Sequence, residues 1–210
     1  MTLKLWSDSF ADGLPIPGEF AFCVIDPKTH VAMSANRNPH LAWSGAPAGT
    51  QSFALICHDY DVPSRGDDVN QEGRVISPEL PRVDFFHWVL VDIPAGVTAI
   101  AAGSHANGIT PRGKSASAAP AGMRHGINDY TGWFAGDKDM AGDYYGYDGP
   151  CPPWNDSIVH HYTFSVFALS IARLPVQGKF TGADVRKAMQ GHVLAHTEIV
   201  GTYTLNPALL

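Results

Sequence analysis

The chain has 210 residues, of which 45% are hydrophobic and 16% charged, and its formal charge is −6. This composition is typical of one globular domain with an apolar core, which would span residues 1–210. Nucleic acids and anionic membranes are bound through clustered Lys and Arg, and the sequence contains no such cluster, so neither is an expected partner.

The cysteines predict a reducing environment. There are three, Cys23, Cys57 and Cys151, and they are scattered and odd in number, so a disulfide framework is not expected. The segment Met1–Phe10 lacks the apolar centre of a signal peptide, and no apolar run approaches the length that spans a bilayer. The expected location is therefore the cytoplasm.

Short apolar runs between turn residues predict a mostly β protein. The runs are rich in β-branched and aromatic residues, which favour strands. They are Phe20–Ile25, Phe53–His58, Phe85–Ile93, Ile158–Ser170 and Thr197–Leu205. Several are apolar on both faces, as strands between two packed layers are, which indicates a sandwich with some helical cover.

One segment, Thr181–His196, predicts a helix. Thr181 and Asp184 have the spacing of a capping box, and Val185, Met189 and Val193 recur at helical intervals. On such a helix His192 and His196 lie four residues apart, but the intervening residues lack the Glu of a zinc protease motif, so packing or surface roles are favoured.

Two long connectors, Arg65–Asp84 and Gly103–Gly126, are predicted to be surface loops of the kind that often carry function. The second contains Gly108–Ser115, which matches the P-loop pattern, and the acidic strand Trp88–Asp92 precedes it. A true P-loop lies between a strand and a helix, whereas Ala116–Pro120 reaches a proline almost at once. A nucleotide hydrolase is therefore a minor alternative.

Polar residues at the ends of three predicted strands are the candidate site. Alternation along Ile158–Ser170 turns His160 and Tyr162 inward and His161 outward. Asp59 and Asp61 are two residues apart, so their side chains point to the same face as long as the strand is regular. The alternative to a binding site is that the histidines are ordinary core residues and that the two acidic residues belong to a solvated turn.

His87 shares a strand face with Phe85 and Val89. The run Gly149–Pro153 forms a rigid loop in which Gly149 can leave its N–H available for an anion. A plain turn is the alternative interpretation of this run.

In combination these segments resemble the phosphatidylethanolamine-binding protein family, and above all its bacterial, Raf kinase inhibitor-like branch. The resemblance runs from about Leu41 to Tyr203. The motifs that carry it are Asp59-x-Asp61-x-Pro63-Ser64, His87-Trp88, Gly149-Pro150-Cys151-Pro152-Pro153 and His160-x-Tyr162.

The resemblance implies a Greek-key β-sandwich of two sheets with a few flanking helices, and a small pocket for phosphate-like groups. The residues that it places at the pocket are Asp59, Asp61, His87, Gly149, Cys151, His160 and Tyr162. It also implies a cis peptide bond between Val62 and Pro63. His161 stands where the family usually has Arg, and the spacer Trp154–Val159 is longer than in short members.

The expected function is that of a non-enzymatic binding protein for a phosphate-bearing ligand or a phospholipid headgroup. Histidine N–H groups would donate to the anion, and Asp59 would orient a histidine or accept a proton from a monoprotonated phosphate. The resemblance also allows a homodimer and regulation of a kinase or protease by contact. No cofactor or metal is expected; the alternative is a metal-dependent hydrolase using Asp59, Asp61, His87 and His160.

Overall fold

The computed structural model describes residues 2–120 and 122–210, and strands dominate it. The ten strands are β1 (Lys4–Trp6), β2 (Cys23–Asp26), β3 (His30–Met33), β4 (Leu41–Ser44), β5 (Ser52–Pro63), β6 (Arg82–Pro94), β7 (Ala99–Ile100), β8 (Arg124–His125), β9 (His160–Leu169) and β10 (Val193–Tyr203). The two α-helices are α1 (Tyr130–Trp133) and α2 (Gly182–Ala188). Three single-turn 3₁₀ helices are Gly18–Phe20, Ala116–Ala118 and Pro207–Leu209.

The main sheet is built on the three longest apolar runs of the central and C-terminal chain. Its order is β10-β9-β5-β6-β8, and every neighbouring pair is antiparallel. The runs Phe53–His58, Phe85–Ile93 and Ile158–Ser170 are thus confirmed as strands. Phe20–Ile25 is a strand only from Cys23, because Gly18–Phe20 forms a helical turn instead.

Both faces of this sheet are covered, as the doubly apolar strands require. One face carries Phe53 and Leu55 and packs with Leu41 and Trp43 of a second sheet, whose order is β1-β4-β7. The other face carries Ile56 and packs against α2 and neighbouring residues. The predicted mostly β sandwich with helical cover is confirmed; β2 and β3 form a further two-stranded sheet.

The predicted helix Thr181–His196 is confirmed only in its first half. The capping box of Thr181 and Asp184 is present, but α2 ends at Ala188 and β10 begins at Val193. Gly191 has a φ of +80° between them, a conformation that ends helices easily. Val193 fits the helical interval only by coincidence, and His196 lies on β10, so the histidine pair shares no helix.

The expectation of free thiols is wrong for two of the three cysteines. Cys23, at the start of β2, forms a disulfide with Cys151, 128 residues later. Cys57 is free and buried in the core. The cysteines therefore give no support to a reducing compartment.

The expected cis bond before Pro63 is also wrong, since the described residues contain no cis peptide. The pairing of β5 with β6 shifts register between Asp59 and Val62, after which Val62 pairs with Val83.

In the ranges 2–120 and 122–210, none of the helices has the length and apolar character that crossing a bilayer requires.

Candidate functional site

His160 lies at the centre of a buried polar network where β9 begins. Its Nδ1–H donates to Asp59 Oδ2 at 2.6 Å, and its Nε2–H donates to Asp156 Oδ2 at 3.1 Å. Burial alone would lower the pKa of His160, but the hydrogen bonds and charges of Asp156 and Asp59 outweigh it and raise that pKa to about 9. His160 is therefore an imidazolium at neutral pH.

The network continues to Arg82 at the start of β6. The Arg82 guanidinium holds both oxygens of Asp156, at 2.6 and 3.0 Å. Burial works to raise the pKa of Asp156, but His160 and Arg82 lower it overall. The charges of Asp59, His160, Asp156 and Arg82 cancel, and both N–H groups of His160 are used within the protein. In this structure His160 therefore has no N–H group left to donate to an anion.

His87 on β6 is held in the opposite state. Its Nδ1–H donates to the carbonyl of Asp148 at 2.8 Å. Burial lowers its pKa to about 4, although the charge of Asp59 and this hydrogen bond act against the shift. His87 is thus neutral at pH 7, and because Nδ1 carries the proton, its Nε2 has a lone pair.

The segment beside His87 is fixed by Asp148, whose carboxylate is completely buried. It accepts hydrogen bonds from Lys114 at 2.6 Å, Asn36 at 2.7 Å and Asn128 at 2.8 Å. Burial raises the pKa of Asp148, against the pull of Lys114. This cluster anchors the carbonyl that sets the tautomer of His87.

Gly149 does not offer the expected N–H. That group donates to Asn36 Oδ1 at 2.8 Å, and the Gly149 carbonyl accepts from the Tyr130 hydroxyl at 2.8 Å. A Cβ at this position would lie 2.1 Å from the carbonyl oxygen of Phe20. The glycine is needed for this close packing, and its N–H is not available to an anion in this structure.

Asp61 also lies away from the site. Its carboxylate accepts from the backbone N–H of His161 and pairs with His161 Nδ1, both at 2.8 Å. The register shift after Asp59 breaks the alternation that would have kept the two carboxylates on one side. His161 is turned outward as predicted, with 41% of its side chain exposed.

A cavity of about 310 Å³ opens over this network. Of the seven predicted site residues, five line it: Asp59, His87, Cys151, His160 and Tyr162. Tyr162 is buried, and its hydroxyl has no hydrogen-bond partner within the described ranges. Burial is the main cause that raises the pKa of Tyr162 well above its usual value, and the charge of Asp59 adds to it. The phenol therefore stays protonated.

The walls of the cavity are aromatic and were not predicted from the sequence. Phe22, Phe85, Tyr130, Trp133 and Phe134 line it above the polar floor. Only Phe85 had a sequence signal, since it lies two residues before His87 on the same strand. The others come from distant segments, and one side of the mouth is formed by 64–66 and 69–70, where the loop after β5 begins.

The P-loop match at Gly108–Ser115 is a coincidence. A single 3₁₀ turn, Ala116–Ala118, follows it in place of a helix, and Lys114 is committed to the buried Asp148. A Cβ at Gly113 would lie 2.0 Å from the Asp143 carbonyl oxygen, so this loop packs against the chain rather than enclosing a phosphate.

The geometry also gives the metal hydrolase alternative no support. Both nitrogens of His160 are bonded to carboxylates, and Asp61 lies outside the cavity. Over 2–120 and 122–210, no group of three or more His, Cys, Asp or Glu is arranged to hold a metal ion.

The fold and site define a mostly β protein with an aromatic cavity over an Asp–His floor, and comparison with known proteins places it in a family. The sequence model of the phosphatidylethanolamine-binding protein family matches residues 6–204. UPF0098 protein YbcL of Escherichia coli K12 is 32% identical over 170 residues, which cover 81% of this chain and 73% of YbcL. A UPF0098 protein of Aquifex aeolicus is 29% identical over 201 residues, covering 96% and 88%.

Structural comparison agrees. The crystal structure of E. coli YbcL, described as a new member of the mammalian PEBP family, matches with a TM-score of 0.69 at 27% identity and covers 97% of this chain and 99% of YbcL. This chain belongs to the phosphatidylethanolamine-binding protein family, as its motifs indicated.

Proposed function

We propose that this protein is a binding protein whose cavity holds the monoprotonated phosphate of a small ligand. The observation that carries the proposal is the neutral His87, whose Nε2 can accept but not donate a hydrogen bond. Asp59 beside it is also an acceptor: its oxygens accept from His160 and from the Asp61 N–H, and each keeps a further lone pair. The floor therefore favours a ligand that brings a proton of its own.

A phosphate monoanion fits these groups better than a dianion. Its P–OH can donate to His87 Nε2 or to Asp59, and another of its oxygens can accept from the Tyr162 hydroxyl, which faces Asp59. A dianion would face the Asp59 carboxylate with no proton to share. Because Asp59, His160, Asp156 and Arg82 sum to zero charge, the floor supplies no net attraction to offset that repulsion.

Binding fits the site better than proton-transfer catalysis. A general base works best when its pKa lies near the working pH, whereas the pKa of His87 is about 4. His160 is held at the other extreme, with a pKa of about 9 and both nitrogens occupied.

The disulfide bears on where such a protein would act. Disulfides persist in oxidising compartments and are reduced in the cytosol. Since Cys23 and Cys151 are joined, we propose an oxidising compartment in place of the cytoplasm predicted from the sequence.

Calorimetric titration with glycerol phosphate at pH 5.5 and pH 8 tests the ligand proposal. A phosphate monoester loses its second proton near pH ~6, so the monoanion fraction and the affinity should fall roughly 50- to 100-fold over this range. Glycerophosphoethanolamine, a lipid headgroup, supplies its donor as an ammonium that does not titrate here. A headgroup affinity that exceeds that of glycerol phosphate and stays constant between the two pH values would mean that an ammonium supplies the proton, which would overturn the monoprotonated phosphate.

Sulfate is the control, because it carries two charges and no proton over the whole range. We expect it to bind at least tenfold more weakly than glycerol phosphate at pH 5.5. Equal binding of sulfate would mean that the floor donates to the anion, through a protonated His87, and would overturn the proposal.

A further inference from the structure

The aromatic wall is built of rings that contact one another and the floor of the cavity. Phe22 stacks on Tyr130 with ring centroids 4.7 Å apart, and Tyr130 stacks on Phe134 at 5.5 Å. Phe85 meets Tyr130 edge to face at 5.2 Å and lies 4.9 Å from His87. The wall is thus in direct contact with the polar floor.

The wall is also fixed in position relative to that floor. Asp129, at the start of α1, accepts the Phe86 N–H on its carboxylate at 2.7 Å. In return its own N–H donates to the Phe86 carbonyl at 2.9 Å. Because Phe86 precedes His87 on β6, α1 and the binding residue of the floor are held as one unit.

At the mouth, two large apolar side chains are left uncovered. Trp133, at the end of α1, is 54% exposed, and Met33, at the end of β3, is 61% exposed. Both line the cavity. Both therefore share the cavity with Phe22 and Phe134, and a molecule that fills it would cover part of their exposed surface.

The size and charge of the cavity limit that molecule. At about 30 Å³ for each water-sized group, a cavity of about 310 Å³ has room for a phosphate and an organic group of about the size of one ring. Arg65 is the one Lys or Arg among the described lining residues, so a second phosphate would have little to pair with.

We propose that Phe22, Tyr130, Trp133, Phe134 and Met33 form a subsite for an apolar, preferably aromatic, group, so that the ligand is a phosphate monoester of an apolar alcohol. This inference rests on the proposed phosphate site and adds the identity of the esterified group. Sugar phosphates and glycerol phosphate, whose hydroxyls would lose water against this wall, would be discriminated against.

Phenyl phosphate and glycerol phosphate test the subsite, since both are phosphate monoesters and differ in the organic group. Titration at pH 5.5 should give phenyl phosphate an affinity at least tenfold higher. Trp133→Ala should lower the affinity for phenyl phosphate by about three- to tenfold and leave glycerol phosphate unchanged. Trp6→Ala is the matched control, because Trp6 is 44% exposed but lies on β1 and does not line the cavity.

The outcomes separate this inference from the proposed function. Equal affinities for the two esters would overturn the subsite and leave the phosphate proposal standing. Phenol binding as tightly as phenyl phosphate would support the subsite and overturn the phosphate site. A Trp133→Ala variant that loses both esters equally would show that Trp133 supports the floor, which contradicts its assignment to an apolar subsite.

Discussion

The charge of His160 predicts how stability depends on pH above neutrality. An unfolded histidine titrates near ~6.5, whereas the folded pKa is about 9. The folded protein therefore retains a proton that the unfolded chain releases between these values. The stabilisation is fully present below pH ~6.5 and is lost as the pH rises through 9.

The shift fixes the size of the effect. Each pKa unit corresponds to about 1.4 kcal/mol, so the free energy of unfolding should fall by about 3 kcal/mol between pH 6.5 and pH 9. His160 is completely buried, so solvent screening does not reduce this figure. Cys57, whose pKa burial raises, adds to the loss above about pH 8.5, where an unfolded thiol ionises.

The variant His160→Gln isolates the contribution of the imidazolium. It leaves Asp59 and Asp156 without their shared cation, so a loss of about 3–5 kcal/mol is expected at pH 6.5. Because wild-type His160 is itself half deprotonated at pH 9, the difference between the two proteins should shrink by about 3 kcal/mol there. The contribution of Cys57 is common to both and cancels.

Urea denaturation of both proteins at pH 6.5, 8 and 9 measures this difference. His161→Gln is the control, since its partly exposed pair with Asp61 should contribute less than about 1 kcal/mol. A difference between wild type and His160→Gln that stays constant from pH 6.5 to pH 9 would refute the buried imidazolium.

Two further predictions concern acid and reduction. Burial lowers the pKa of His87 and His105 to about 4 and that of His125 to about 3, so the folded state excludes protons that the unfolded chain binds below pH ~6.5. Stability should fall by about 1 kcal/mol per pH unit from each between pH 5.5 and 4.5, and a melting temperature that is flat over this range would contradict it. Reducing Cys23–Cys151 releases a constraint on 128 residues and should lower the free energy of unfolding by several kcal/mol. Dithiothreitol should therefore lower the melting temperature of the wild type. It should not change the melting temperature of a Cys23→Ser, Cys151→Ser double variant.

The strands were predictable because their local pattern and their burial agree. Alternation along β9 correctly turned His160 and Tyr162 inward, since that strand is regular up to Leu169. The same rule failed for Asp61, because β5 changes register after Asp59. The end of α2 was missed because Val193 fits both periods and only the backbone at Gly191 decides between them.

The chemistry of the site was less predictable than its residues. The sequence identified His160 but not its second partner, since Asp156 lies in an irregular spacer with no periodicity to orient it. The disulfide joins segments that only the fold brings together. The histidines were expected to act alike as donors, whereas their different partners make one a cation and the other a neutral acceptor.

The cancelling charges of the floor also have a kinetic consequence. Long-range steering needs a net field over the mouth of a site, and Asp59, His160, Asp156 and Arg82 together supply none. The chain as a whole carries −6, so apart from Arg65 at the mouth the mean field that a phosphate meets on its approach is weakly repulsive. Added salt screens that repulsion, and the association rate constant for an anionic ligand therefore rises slightly with ionic strength rather than falling.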